Sequence, residues 1–278
     1  KGLNFFHPEN WYSTHALIEY LLRLSGLYWI GRRNTLKIRV QENEVRLKRL
    51  PAAFDGFTIL HITDLHADLN PPAMGVLADL VSRLEYDVCV LTGDYRARTF
   101  GPFDAALQQM AGLCTQLAQP IYAVLGNHDS IRMLPGMESM GVRMLINEMV
   151  SIRRDAQTIH LAGVDDAHYY RMDNLANAAS GADADALCIL LSHTPEIYRQ
   201  AMHAGVDLML CGHTHGGQIC LPGGIPITLD SRCPRFMGAG AWEYRGMQGY
   251  TSTGAGSCIV PVRLNCPPEV VLHRLHSA

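Results

Sequence analysis

Short apolar runs of a few residues recur along this chain, and each of a set of five ends in a polar turn. "FTILHIT" leads into "DLHADLNPP" and a helical pattern from about Ala73 to Glu85; "DVCVLT" leads into "GDYRA" and then "DAALQQMAGLCTQLA". "IYAVL" leads into "GNHDS", "LCILL" into "SHTPEIYRQAM", and "VDLMLC" into "GHTHGG". A short apolar run bounded by turn residues reads as a buried strand, and strands alternating with helices imply parallel βαβ units. The stretches "EMVSIRR", "TIHLAGV", "QICLP", "GYTST" and "EVVLHRL" read as strands without helices between them. The expected core is therefore α/β with two mixed sheets.

No internal repeat or low-complexity linker divides the 278 residues. One main domain over residues 51–278 is expected, preceded by an appendage over 1–50 that holds an amphipathic helix and strands. In residues 14–30, Leu17, Tyr20, Leu21, Leu24, Leu27 and Tyr28 fall on one helical stripe. Charge interrupts this helix too often for it to span a bilayer. It either packs on the domain or lies at a lipid interface, and the end "LYWIGRR" favours the interface, because Tyr28, Trp29, Arg32 and Arg33 suit a headgroup boundary. Residues 1–50 hold nine Lys/Arg against four Asp/Glu, so a formal total of −3 leaves −8 on the rest. A basic end on an acidic body points that end at an anionic surface, and the acidic body argues against nucleic acid as a partner. The eight cysteines form no C-x-x-C pair and several sit in apolar runs, the pattern of buried reduced thiols and a cytoplasmic setting.

Each of the five strands ends in groups with metal-ligand chemistry: Asp64 and His66, Asp94, Asn127 with His128 and Asp129, His193, then His213 and His215. Ligands of open α/β sheets bind outside the carboxyl ends of the strands, so these groups are expected to converge. Two Asp, one Asn and four His can hold two divalent metals if one carboxylate bridges, and Asp94, on a middle strand, is the natural bridge. Two metals about 3.5–4 Å apart can activate a water and neutralise a phosphate undergoing in-line displacement. His213 and His215 are expected to point the same way from an extended segment, with Gly216 and Gly217 leaving room for a turn.

The ordered blocks D-x-H, G-D, G-N-H-D, an isolated His and G-H-x-H, spanning roughly Phe57 to Gln218, resemble those of the calcineurin-like metallophosphoesterase family. The resemblance implies a four-layer α/β/β/α sandwich. It also implies one metal on Asp64, His66, Asp94 and His215, and a second on Asp94, Asn127, His193 and His213. His128 is similar to a histidine that contacts the phosphate or protonates the leaving oxygen, and Asp129 to the carboxylate that orients it. Manganese is the metal expected first, with iron, zinc and magnesium as alternatives. "GHTHGGQICLPGGIP" and the tail "GYTSTGAGSCIVPVRLNCPPEVVLHRL" further resemble a bacterial membrane-associated phosphodiesterase subgroup that includes enzymes cleaving UDP-2,3-diacylglucosamine. The function implied is hydrolysis of a phosphodiester or pyrophosphate in a lipid-linked substrate, at the inner face of the cytoplasmic membrane. A soluble phosphoester substrate and a non-catalytic module of the same fold are the rival readings.

Other residues read more plainly. His61 is expected to be a core histidine or one supporting a ligand, and His7, His15, His160, His203, His273 and His276 structural or surface residues. His168 lies in a loop where substrate contact is not favoured. Arg96 is carried as a phosphate-binding candidate, with Arg98 beside it, since arginine suits bidentate phosphate contacts. Trp242 and Tyr244 read as aromatics packed in a loop.

Overall fold

The computed structural model describes residues 12–180 and 186–278; His7 lies outside the described residues. Two helices come first, α1 (Tyr12–Leu24) and α2 (Leu27–Asn34). The single helix expected over 14–30 is broken at Gly26, whose φ of 75° is left-handed. The packed stripe also differs from the expected one. Ile18, Leu22 and Tyr28 meet Val260, Val262 and Leu264, while Leu17, Tyr20, Leu21 and Leu24 are exposed. Apolar residues occupy much of the circumference of α1, so spacing alone does not say which stripe meets the body. Among the described residues no helix is long and apolar enough to cross a membrane.

The first sheet takes β1 (Arg39–Leu47), β2 (Thr58–Ile62), β3 (Val88–Leu91), β4 (Ile121–Ala123) and β5 (Val142–Met144). The last four are joined by α3 (Pro71–Val81), α4 (Asp104–Cys114) and α5 (Leu134–Ser139). β6 (Glu148–Arg154) and β7 (Gln157–Gly163) open the second sheet as a hairpin. It continues through α6 (Leu175–Ala178), β8 (Cys188–Leu191), α7 (Tyr198–His203) and β9 (Leu208–Cys211). A small hairpin, β10 (Cys220–Leu221) and β11 (Ile225–Pro226), precedes β12 (Gly240–Tyr244) and β13 (Met247–Thr251), and β14 (Glu269–Ser277) ends the chain in the first sheet. The strand orders are β1-β14-β2-β3-β4-β5 and β12-β13-β9-β8-β7-β6, both mixed. Residues 39–47, placed by the sequence in the appendage, thus form an edge strand parallel to β14.

Strand alternation sorts the core into layers. Ile59, Val88, Val90, Ile189, Leu191, Leu208 and Leu210 fill the space between the sheets. Leu60, Ile62, Cys89 and Leu91 face α3, α4 and α5 on one outer side. Leu190, Met209 and Cys211 face α6 and α7 on the other. The result is the α/β/β/α sandwich expected from the sequence. Trp242 and Tyr244 lie on β12 rather than in a loop; Trp242 is buried and its indole N–H donates to Thr251 Oγ1 at 2.9 Å.

Candidate metal centre

The turns leaving β2, β3 and β9 are tight and left-handed. Asp64, His66, Asp94, His213 and His215 have φ values of 54°, 39°, 59°, 75° and 50°. Such backbone at non-glycine residues costs on the order of 1–3 kcal/mol each and persists only where packing imposes it. Five of the seven expected ligands carry this strain. Close packing enforces the turns: a Cβ on Gly212 would collide with Asp64 Oδ2 and Thr63 Oγ1, and one on Gly126 with Asp94 Oδ1. His213 and His215 are not on an extended segment, contrary to expectation. The strand ends at Cys211, and both residues reach the centre from left-handed backbone, with His215 opening a 3-10 turn to Gly217.

All seven expected ligands are buried and gather at one point. His66 Nε2 lies 3.1 Å from His215 Nε2, which is 3.3 Å from Asp64 Oδ1. His193 Nε2 lies 3.0 Å from Asn127 Oδ1 and 3.3 Å from Asp94 Oδ2. Asp94 Oδ2 also faces His66 Nε2 at 3.7 Å and His128 Nε2 at 4.0 Å, so one carboxylate stands between the two groups. The backbone N–H of His213 donates to both oxygens of Asp64, at 3.1 and 3.0 Å.

Hydrogen bonding decides what this cluster can hold. His66 Nδ1 donates to the Arg96 carbonyl at 2.9 Å and His193 Nδ1 to the Thr92 carbonyl at 2.7 Å. In the neutral rings each Nε2 is then a lone pair, and it points at carboxylate oxygen, amide oxygen or another Nε2. Acceptors facing acceptors are stabilised by a cation or by added protons. His213 Nε2 is buried with no hydrogen-bond partner among the described residues, so the donor set fits divalent metal. Without metal, protons fill part of that role. Against the penalty of burial, Asp94 raises His193 to about 10, while burial raises Asp64 to about 6 and lowers His66 to about 3. Metal loading therefore displaces protons.

His128 stands at the edge of this cluster, with its Nε2 within 4.8 Å of ligand atoms of both His66 and Asp94. Its Nδ1 donates to the Ala97 carbonyl at 2.8 Å, and its Nε2 faces Asp94 and, at 3.9 Å, the thiol of Cys258. Burial opposes its charge, but Asp94 outweighs that and holds His128 well above the usual histidine range.

Two expectations fail here. Asp129 does not touch the His128 ring: its carboxylate accepts from the N–H groups of Asp94 (2.7 Å), Tyr95 (2.9 Å) and Gly126 (2.9 Å). It pins the two ligand-bearing turns together, and a backbone carbonyl orients His128 in its place. Arg96 is buried and spends its guanidinium on backbone carbonyls, with Nε on His128 at 2.5 Å, Nη1 on Gly101 at 3.0 Å and Nη2 on Thr99. Three of its five N–H groups are committed in this way, and Arg96 does not line the cavity over the cluster; Arg98 is exposed.

His61 is a satisfied core histidine, one of its two expected roles. It is fully buried, pushed to about 3 by burial, and bonds Thr92 Oγ1 at 2.8 Å and His273 Nε2 at 3.3 Å. Two neighbours of the cluster, Arg263 and Cys258, escaped the sequence reading, and a third, His168, was considered there without being favoured. Arg263, fully buried, reaches the His215 carbonyl and comes within 3.1 Å of its Nδ1. Cys258 joins the cavity rim beside His128. His168 packs against His213 with ring centroids 4.2 Å apart and planes tilted by 46°, and pairs with Glu196 at 3.2 Å. None follows a strand in a motif; only the charge of Arg263 in an apolar tail could have signalled one of them.

Comparison with known proteins agrees with this geometry. A family model described as calcineurin-like phosphoesterase matches residues 57–217. An uncharacterized metallophosphoesterase of Aquifex aeolicus is 31% identical over 253 residues, covering 86% of this chain and 92% of its own. The metallophosphoesterase YkoQ of Bacillus subtilis is 28% identical, covering 87% and 92%. Phosphodiesterase YaeI of Escherichia coli is 29% identical, covering 79% and 82%. With the strand-end blocks converged on a metal-binding cluster inside the matched span, the chain belongs to the calcineurin-like phosphoesterase family, a metal-dependent hydrolase of phosphoesters.

Proposed function

We propose that this enzyme cleaves a phosphodiester or pyrophosphate bond in a lipid-linked substrate such as UDP-2,3-diacylglucosamine. The observation that carries the hydrolytic part is the convergence of lone-pair donors around Asp94, with His128 Nε2 4.0 Å from its Oδ2 at their edge. One metal would be held by Asp64, His66, Asp94 and His215, the other by Asp94, Asn127, His193 and His213, with manganese as the first choice. Two divalent ions there supply Lewis acidity that activates water and screens phosphate charge. Asn127 and His128 line the cavity where the phosphate would lie, and His128 Nε2, facing Asp94 from its edge, is placed to pass a proton to the leaving oxygen. Asp129 holds the turns of β3 and β4 at the spacing this requires. A non-catalytic module would be expected to have lost ligands, and all seven are present.

The lipid-linked part rests on the tail resemblance and on α1 and α2. Leu17, Leu21, Leu24, Trp29 and Ile30 are exposed next to the exposed Arg32 and Arg33, a composition that suits the inner face of an anionic membrane. A soluble phosphoester is the second reading. Phosphorus NMR of manganese-loaded protein with UDP-2,3-diacylglucosamine and bis(p-nitrophenyl) phosphate, with Asp94→Asn as the blank, tests both. Fast release of UMP and lipid phosphate supports the lipid reading. Turnover of the aryl diester alone defeats it, and Asp94→Asn retaining near-normal activity defeats the metal assignment.

A further inference from the structure

The cavity over the centre, about 400 Å³, has two chemically distinct halves. Its floor is polar, made by Asp94, Asn127, His128, His213 and His215. Its wall is aliphatic: Ile18 from α1, Ile219 before β10, Ile227 after β11, and Ile259 with Val260 from the tail. A volume of this order is that of a small-molecule site rather than a packing gap. The wall is firm, because Ile18, Ile219 and Ile259 are backed by Leu22, Tyr28, Val262 and Leu264.

Thr214, Gln218, Thr228 and Asp230 also line the cavity, and of these the Gln218 amide does not compete for a ligand. Gln218 Nε2 donates to the carbonyls of Cys258 (2.8 Å) and Val260 (3.1 Å), and its Oε1 accepts from the Cys258 N–H at 2.7 Å. Its amide is thus spent on holding the 258–260 loop. Apart from imidazoles, no aromatic ring lines the cavity among the described residues, so nothing there stacks a nucleobase. Water against bare aliphatic walls is unfavourable, and an alkyl chain displaces it.

We infer that the wall is a binding subsite for an acyl or other long alkyl arm of the phosphoester, adjoining the scissile phosphate. In this arrangement α1 contributes through Ile18 to the substrate site itself. The inference rests on the phosphoesterase reading above and needs no membrane.

The test is a series of p-nitrophenyl alkyl phosphodiesters with methyl, butyl and octyl arms, each below its micelle concentration, turned over by the manganese-loaded enzyme. Expected is a rise in kcat/KM of about twofold to fourfold per added methylene until the cavity fills, carried mainly by KM. Ile18→Asn and Ile227→Asn should each lower the octyl-to-methyl ratio by tenfold or more. Ile227 is 59% exposed, so its variant keeps the test valid if Ile18→Asn misfolds. Ile131→Asn, exposed and outside this cavity, should leave the ratio unchanged. Methyl-ester turnover with no dependence on chain length overturns the subsite alone. No turnover of any ester overturns the phosphoesterase reading and the subsite with it.

Discussion

Arg263→Met removes a guanidinium buried directly behind His215, an expected metal ligand, and its cost can be worked bond by bond. Nε donates to the Gly256 carbonyl at 3.0 Å and Nη1 to the His215 carbonyl at 3.0 Å. Nη2 reaches the carbonyls of Thr253 and Gly256, both at 2.7 Å. The His215 carbonyl also accepts from the Gln218 N–H, and that of Gly254 from the Glu269 N–H, so neither is orphaned. Thr253 and Gly256 have no other donor among the described residues. Two orphaned buried acceptors cost about 1–3 kcal/mol each. Methionine fills the space of the stem, and release of a buried charge offsets part of the loss. The expected net loss in urea unfolding is about 2–4 kcal/mol, within what a domain with 5–15 kcal/mol of stability survives. His215 also loses its backing, so metal content by mass spectrometry should fall from two ions towards one per chain. Unchanged stability together with two ions per chain would show that Arg263 neither supports the tail nor positions His215.

Replacing His128 with Asn should lower kcat by about 10²–10⁴ while metal content holds; loss of metal would make His128 a ligand. Gly212→Ala places a methyl group on Asp64 Oδ2 and Thr63 Oγ1, so metal binding should weaken and stability should fall by about 1–3 kcal/mol. Because the φ of Gly212 is not positive, steric contact alone makes that prediction, and normal metal affinity in the variant would refute it. Burial lowers His61 from 6.5 to about 3, so the unfolded chain takes up this proton first. Its contribution is full above pH 6.5 and is lost as pH falls towards 3, at about 1.4 kcal/mol per pH unit. Denaturation of His61→Phe between pH 6.5 and 4 should show a shallower acid slope than wild type; parallel slopes would rule out this account.

The candidate metal centre was legible because its expected ligands obey a local rule. Each follows an apolar strand within a few residues, and the topology of parallel strands sends those turns to a common edge. The same rule gave no guidance on where each polar group spends its hydrogen bonds. Arg96 looked available for phosphate because its carbonyl partners on Thr99, Gly101 and His128 lie on turns whose approach depends on packing. Asp129 looked like a partner of the adjacent histidine, yet the amides of Asp94 and Tyr95, more than thirty residues earlier, occupy it. The stripe of α1 that packs was likewise set by the tail it meets, Val260 to Leu264, at the far end of the chain.

Sequence alone therefore determined the strand pattern and the candidate ligands, which follow from periodicity and short-range turn chemistry, while the sandwich followed from the family resemblance those blocks carry. Tertiary structure alone decided the left-handed reach of His213 and His215, the buried role of Arg263, and the aliphatic wall beside the candidate metal site. Each of these depends on contacts between segments distant in sequence, where burial makes every donor and acceptor take whichever partner the packing supplies.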